Sequence, residues 1–270
     1  MSLEFRLLGD PIEHSLSPVI HAAGFAARGI DAVYRAVRVR ARGLESALTE
    51  AADGGGGNVT LPHKRSVVAW IDEPGDTVVA TGACNCFWRA ADGGIAGDNT
   101  DVAGFSAGLA ELGVRPVGTR ALVLGAGGAA RAVVHALRVS GVDGIDVFNR
   151  SIPAALELAE EVDRDVGLLT SRPMAGRWDL VVNATCLGLA ADDPLPLDLE
   201  RVGAGAVFDL VYGANETALV RWARRLGIPA CDGTAMLVHQ AAFSFARWFP
   251  GVEPPISEMR SAALTAVRGP

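Results

Sequence analysis

The chain has 270 residues, long for one ordinary domain and sufficient for two. Half of the residues are hydrophobic and a fifth are charged, which excludes a largely disordered chain. The net charge of −7 argues against general nucleic-acid binding, which needs Lys and Arg facing phosphates.

The first hundred residues alternate strand-like and helix-like stretches. A strand is expected over 5–9 and a helix over 18–28, with Ser17 as its N-cap and Pro18 at the first helical position. Residues 32–39 read as a strand, 44–52 as a short helix ended by the glycines of 54–57, and 58–60 as a short strand. Residues 83–89 and 94–97 read as a hairpin turning at Asp92-Gly93. A helix then runs from Thr100 to near Gly113, and 115–118 is a connector. Buried strands follow at 121–124, 145–148, 180–183 and 206–211, with helices at 129–139, 154–162 and 216–226. Apolar strands alternating with helices predict a parallel sheet covered on both faces. The last helical stretch, 235–248, is rich in aromatics and is expected to pack back on the first domain.

The four cysteines are Cys84, Cys86, Cys186 and Cys231; no second pair stands at zinc-like spacing, and no metal site is expected. On a strand Cys84 and Cys86 share one face, with Asn85 on the other, as small packing residues. The N-terminus lacks a basic-then-apolar leader, and Arg131 and Arg138 interrupt the best membrane-spanning candidate. A cytoplasmic protein with reduced thiols and no membrane partner is therefore expected.

Residues 121–130, ALVLGAGGAA, form a strand running into glycines and then a helix, at the spacing G-x-G-x-x-[GA]. Gly125 permits a tight turn, Gly127 lets backbone amides approach a pyrophosphate, and Ala130 keeps helix and strand close. The next strand ends at Phe148-Asn149-Arg150-Ser151. An NAD enzyme usually places an acid there for the free 2′-hydroxyl, whereas Arg150 suits the 2′-phosphate of NADP. Asp146, earlier on that strand, is the weaker ribose candidate. Asn183-Ala184-Thr185 and 209–212 end two further strands and form a rim at the carboxyl edge.

Four segments of the first domain set polar residues beside turns: 9–18, 58–64, 82–86 and 97–101. Hydroxyls beside a helix start suit a carboxylate, and a lysine with an aspartate suits proton transfer to a carbonyl under hydride attack. His14 and His63 titrate near neutrality, but no carboxylate stands at an obvious orienting spacing.

These segments resemble the shikimate dehydrogenase family over nearly the whole chain. The resemblance is carried by SLSP (15–18), NVTLPHK (58–64), GACN (82–85), GDNTD (97–101), GAGGAARA (125–132), NR (149–150), NATCLG (183–188), DLVY (209–212) and the run from Asp232 to Gln240. It implies an α/β fold of two domains: a substrate domain from 1–102 with 235–270, and a Rossmann-like, doubly wound NADP-binding domain over 103–234. It also implies reduction of 3-dehydroshikimate to shikimate with NADPH, in a monomer or homodimer. By the same resemblance Lys64 and Asp101 are the catalytic pair. Ser15 and Ser17 hold the substrate carboxylate, and Thr60, Asn85, Asp101, Tyr212 and Gln240 meet its hydroxyls or line the pocket. Gly125, Ala126, Gly127, Gly128 and Ala129 carry the pyrophosphate, and Asn149 and Arg150 the adenosine phosphate. Asp76, Thr185, Leu210, Gly233 and Met236 lie near the cofactor.

Four positions depart from the family pattern: Cys86 for threonine, Val102 for glycine, Ala214 for proline and Ala235 for glycine. Cys86 and Ala235 are expected near the pocket, where they bear on the substrate and not on the reaction class. A quinate or aminoshikimate paralogue is the near alternative. A non-catalytic NADP sensor is the distant one, since binding alone does not require Lys64 with Asp101.

Overall fold

The computed structural model describes residues 2–190, 192–213 and 215–268; Ala214 lies outside them. The chain divides into two compact units. One is Met1–Gly104 with Leu237–Pro270, and the other is Phe105–Met236.

The first unit holds a six-stranded mixed sheet. Its strands are β1 (Leu3–Gly9), β2 (Ala32–Arg38), β3 (Gly55–Val59), β4 (Glu73–Pro74), β5 (Cys86–Arg89) and β6 (Ile95–Asp98), in the order β2-β1-β3-β5-β6-β4. β1 pairs in parallel with β2 and β3, while β5 and β6 form an antiparallel hairpin whose turn holds Gly93 at φ +94. Helices α1 (Ser17–Ala27), α2 (Leu44–Gly54) and α3 (Asp76–Thr81) connect these strands, and α4 (Thr100–Glu111) carries the chain into the second unit.

The second unit holds a parallel sheet of β7 (Arg120–Leu124), β8 (Gly144–Phe148), β9 (Gly167–Leu169), β10 (Gly176–Asn183), β11 (Val202–Asp209) and β12 (Ala230–Cys231). The order is β12-β11-β10-β7-β8-β9, the doubly wound arrangement with its switch point between β7 and β10. Helices α5 (Gly128–Val139), α6 (Ile152–Glu161) and α7 (Ala218–Arg225) belong to it. Then α8 (Thr234–Trp248) returns the chain to the first unit, followed by α9 (Ile256–Arg268).

Two cores hold the first unit. On one side Leu8, Leu44, Leu48, Val67, Cys84 and Phe87 pack together. On the other, Phe5, Phe25 and Tyr34 meet Phe245 and Trp248 of α8, while Ile20 meets Val238, Ala242 and Met259. The expectation that the aromatic helix packs on the first domain is met in these contacts.

Several local expectations are corrected. Helix α1 begins at Ser17 with Leu16 in the capping position and no side-chain cap, because Ser15 lies one step too early and Ser17 is already helical. The glycines of 54–57 do not simply end a helix. From Gly55 onward they form β3, a central strand. A Cβ at Gly57 would stand 1.9 Å from the Arg6 carbonyl oxygen, and one at Gly56 2.4 Å from that of Phe87, so close neighbouring backbones demand glycine. Strand β5 starts only at Cys86, so the alternation does not reach Cys84. Cys84 joins the cluster containing Phe87, whereas Cys86 lies against Ser244 of α8. The C-terminal helix α9 has no counterpart among the sequence expectations, nor do α3, β4, β9 and β12.

Candidate functional site

The first unit brings four of the singled-out side chains within hydrogen-bonding reach. Lys64 follows β3 by one turn, Asn85 precedes β5, Asp101 opens α4 and Gln240 stands on α8. Lys64 Nζ lies 2.6 Å from Asp101 Oδ2, with the lysine side chain 18% and the aspartate 4% exposed. Asn85 Nδ2 donates to Asp101 Oδ1 at 2.9 Å and, more loosely, to Gln240 Oε1 at 3.4 Å. Each carboxylate oxygen of Asp101 thus has one donor, and Lys64 retains two N–H groups for another partner.

The support of this group is polar and buried. Asn85 Oδ1 accepts from Thr100 N at 2.7 Å and from Thr100 Oγ1 at 3.1 Å, so the amide is locked with its nitrogen towards Asp101. Gln240 Nε2 donates to the Leu237 carbonyl at 2.9 Å and keeps one N–H in reserve. Asp98, beside the group on β6, accepts from Asn99 N at 2.8 Å, from Arg247 Nε at 2.6 Å and from the Thr77 hydroxyl. These bonds pin the β6–α4 turn from which Asp101 projects.

Ser15 and Ser17 form a turn at the start of α1. The Ser15 hydroxyl accepts from Ser17 N and faces Ser17 Oγ, both at 3.3 Å. Thr60 stands half-buried just past β3, its N–H held by the Leu8 carbonyl at 2.9 Å. Asp76 is exposed at the first residue of α3. His63 is buried and bonded to the Val39 carbonyl at 2.6 Å, a packing role, and His14 is exposed.

In the second unit the carboxyl edge of the sheet gathers the cofactor candidates. Gly125 adopts φ +115, and a Cβ there would stand 2.7 Å from the Ala184 carbonyl oxygen. Gly127, by contrast, caps α5 with open space around it: a Cβ would meet nothing within 4 Å. With Ala126, Gly128 and Ala129 it leaves a cradle of free backbone at the amino end of a twelve-residue helix, which fits a dinucleotide pyrophosphate. Ala130 is buried, as close helix–strand packing requires.

Asn149 and Arg150 follow β8 at the same edge; Asn149 Nδ2 donates to the Ser151 carbonyl at 2.9 Å and Arg150 is exposed. Asp146 is engaged elsewhere, accepting from Trp178 Nε1 at 2.7 Å and Arg120 Nη2 at 3.0 Å. Across the switch point, Thr185 Oγ1 donates to Asn183 Oδ1 at 2.7 Å, and Asn183 Nδ2 donates to Asp209 Oδ1 at 2.8 Å. Burial pushes the Asp209 carboxyl above its ordinary range, against hydrogen bonds from Thr217, Val211 and Asn183 that pull it down. Leu210 and Gly233 touch through their backbones, since a Cβ on Gly233 would come within 2.1 Å of the Leu210 oxygen. Met236 is buried and Tyr212 half-buried. Tyr212 belongs to the second unit and Asp76 to the first, so neither shares a unit with the other residues of its expected group.

The motifs do not single out Asn58, Thr100 or Ser244, which are all buried and hydrogen-bonded to Asn85 or to one another. Asn58 and Thr100 lie inside motifs; Ser244 stands one helical turn after Gln240, on the same face of α8, and that spacing is its only signal.

A doubly wound sheet with an open glycine cradle defines, together with a buried lysine–carboxylate pair, a dinucleotide-dependent dehydrogenase of two units. Residues 7–87 match the shikimate dehydrogenase substrate binding domain, 110–187 the shikimate / quinate 5-dehydrogenase family and 233–264 the shikimate 5′-dehydrogenase C-terminal domain. The chain belongs to the shikimate dehydrogenase family. It is 41% identical to the shikimate dehydrogenase (NADP(+)) of Symbiobacterium thermophilum over 97% of this chain and 94% of that one. It is 42% identical to that of Methanothrix thermoacetophila, over 97% of each. The shikimate 5-dehydrogenase of Thermus thermophilus, solved with NADP(H) and shikimate, superposes with a TM-score of 0.87 at 36% identity, covering 98% of this chain and 99% of that one. No helix among the described residues is long and apolar enough to cross a membrane.

Proposed function

We propose that this chain reduces 3-dehydroshikimate to shikimate with NADPH, reversibly, in aromatic amino acid biosynthesis, with Lys64 and Asp101 handling the proton. The observation that carries the reading is the 2.6 Å contact between these two side chains, backed by Asn85 and largely withdrawn from water. The cofactor, when bound, supplies the hydride; the chain binds, orients and moves one proton. Lys64 Nζ gives that proton to the ketone oxygen and takes it back in the reverse direction, while Asp101 fixes where the ammonium sits. The loose Asn85–Gln240 contact is the one a substrate hydroxyl would replace, since every other bond of Asn85 is short.

Ser15 and Ser17 take the substrate carboxylate, with Thr60, Gln240 and Tyr212 directed to the ring hydroxyls. The pyrophosphate of NADP lies on 125–129, Arg150 and Asn149 take the 2′-phosphate, and Asp76, Thr185, Leu210, Gly233 and Met236 serve the rest of the cofactor. Shikimate is favoured over quinate because two serines leave little room for a tertiary hydroxyl at the carboxylate-bearing carbon. Cys86 does not argue otherwise, because it lies against Ser244.

Lys64→Ala should lower turnover roughly 10²–10⁴-fold, with much smaller change in substrate affinity. Absorbance at 340 nm with shikimate and NADP measures it; near-normal turnover would remove Lys64 from the role. Higher kcat/KM for quinate than for shikimate would overturn the substrate assignment.

A further inference from the structure

Ser244 lies on α8, one turn beyond Gln240, with no accessible surface. Its Oγ accepts from Asn58 Nδ2 at 2.9 Å, donates to the Gln240 carbonyl at 2.9 Å, and lies 3.1 Å from Thr100 Oγ1. The other N–H of Asn58 goes to the Asn85 carbonyl at 2.9 Å, and Asn58 Oδ1 takes the Tyr34 hydroxyl at 2.8 Å. Thr100 in turn gives both its N–H and its hydroxyl to Asn85 Oδ1.

One hydroxyl therefore touches three of the residues around Asn85: Thr100, Asn58 and Gln240. Its single proton is shared between the Gln240 carbonyl and Thr100 Oγ1, and the bond to Thr100 aims that hydroxyl's own proton at Asn85 Oδ1, beside the Thr100 N–H that also marks this end of the amide as oxygen. The Ser244 hydroxyl also anchors Asn58, which holds the Asn85 backbone, and the helical turn that presents Gln240. Turning the Asn85 amide by half a rotation would set an oxygen against Asp101 Oδ1, where a donor now stands at 2.9 Å. Buried networks of this kind strengthen cooperatively, and a missing member leaves its neighbours unpaired.

We propose that Ser244 is a positioning residue for the Lys64–Asp101 pair, acting through Thr100 and Asn85. This rests on the reading of that pair as the proton-handling group. Cys86, also fully buried, lies against the Ser244 hydroxyl. A thiol is a weak donor and acceptor, so the strong hydrogen-bonding atom at this point is the serine oxygen. The same space can be given a hydroxyl from the other side, by changing Cys86 to serine.

The experiment compares wild type, Ser244→Ala, Ser244→Ala with Cys86→Ser, and Lys64→Ala in shikimate oxidation, with KM for shikimate and melting temperature measured on each. Ser244→Ala should lower kcat roughly 10-fold, the scale of a sub-ångström misplacement, while KM moves by less than about twofold. Adding Cys86→Ser should recover most of that kcat. Should Ser244→Ala not fold, Ser244→Cys keeps the shape, weakens the bonding, and should show the same fall in kcat. A lowered melting temperature with unchanged kcat, or a fall in kcat that Cys86→Ser does not relieve, overturns the inference. If Lys64→Ala turns over normally, the reading of the pair fails instead.

Discussion

Under the proposed function, Arg150 decides cofactor choice by its charge. It stands exposed at the carboxyl edge beside Asn149, where an acid would hold the 2′-hydroxyl of NAD. A charge-assisted hydrogen bond contributes about 1.5–3 kcal/mol, or about 10- to 150-fold in affinity. Arg150→Asp should therefore narrow or reverse the preference for NADP, read as the ratio of kcat/KM with the two cofactors. Equal use of NAD and NADP by the wild type would contradict this. A different residue contributes to acid sensitivity. His21 is fully buried, stacked on Tyr34 at 4.4 Å and close to Trp248 at 4.9 Å. Burial pushes its imidazole down to about 3, against an ordinary value of 6.5. Between those values the unfolded chain takes up a proton that the folded chain does not. Its contribution is thus complete above pH 6.5 and is lost as the pH falls towards 3, by about 1.4 kcal/mol per pH unit. In urea melts between pH 4 and 7 the wild type should lose stability relative to His21→Leu as the pH falls; curves that stay parallel would dismiss the histidine as the cause.

Two glycine-bearing elements behave differently, although their letters look alike. Gly127 has open space, so Gly127→Ala should fold with a normal melting temperature yet bind NADP more weakly, because the new methyl occupies the cradle at the start of α5. Fluorescence titration with NADP tests this, and an unchanged Kd would place the pyrophosphate elsewhere. Gly57 has none, so Gly57→Ala should cost soluble yield, because the β1–β3 pairing must open. The first case is legible in the sequence because a strand runs straight into the glycines and a helix follows. The run 54–57 reads as a helix stop because only the neighbouring strands, distant in the chain, reveal why glycine is needed. The parallel sheet is legible from its continuous apolar runs. Helix α9 is not, since its buried side is only Met259 and Ala263 among mixed polar residues. The motifs point to Lys64, Asn85 and Asp101, which do meet. Ser244 escapes because a serine inside an apolar helix has no pattern of its own until the facing residues are known.

Across the whole molecule, each unit has its own sheet and its own buried clusters, with Leu122, Val181, Val207 and Leu219 packed together in the second, and the candidate pyrophosphate and 2′-phosphate residues all belong to the second. A ligand that binds only folded protein stabilises it by about 2.7 kcal/mol at a hundred times its Kd. Calorimetry should therefore show two transitions, with NADP raising one far more than the other. A single transition that shifts as one would show that the units unfold together.

The first unit is assembled from both ends of the chain, and this has a consequence for biosynthesis. Phe5, Ile20, Phe25 and Tyr34 find Phe245, Trp248 and Met259 only after the whole second unit has been made. On the ribosome, domains fold as their residues emerge. The continuous middle segment can complete its parallel sheet while the amino-terminal strands still wait with apolar side chains uncovered. Until α8 emerges those side chains lack their partners, and a stop codon before α8 would leave the nascent product with an aromatic surface and no partner for it.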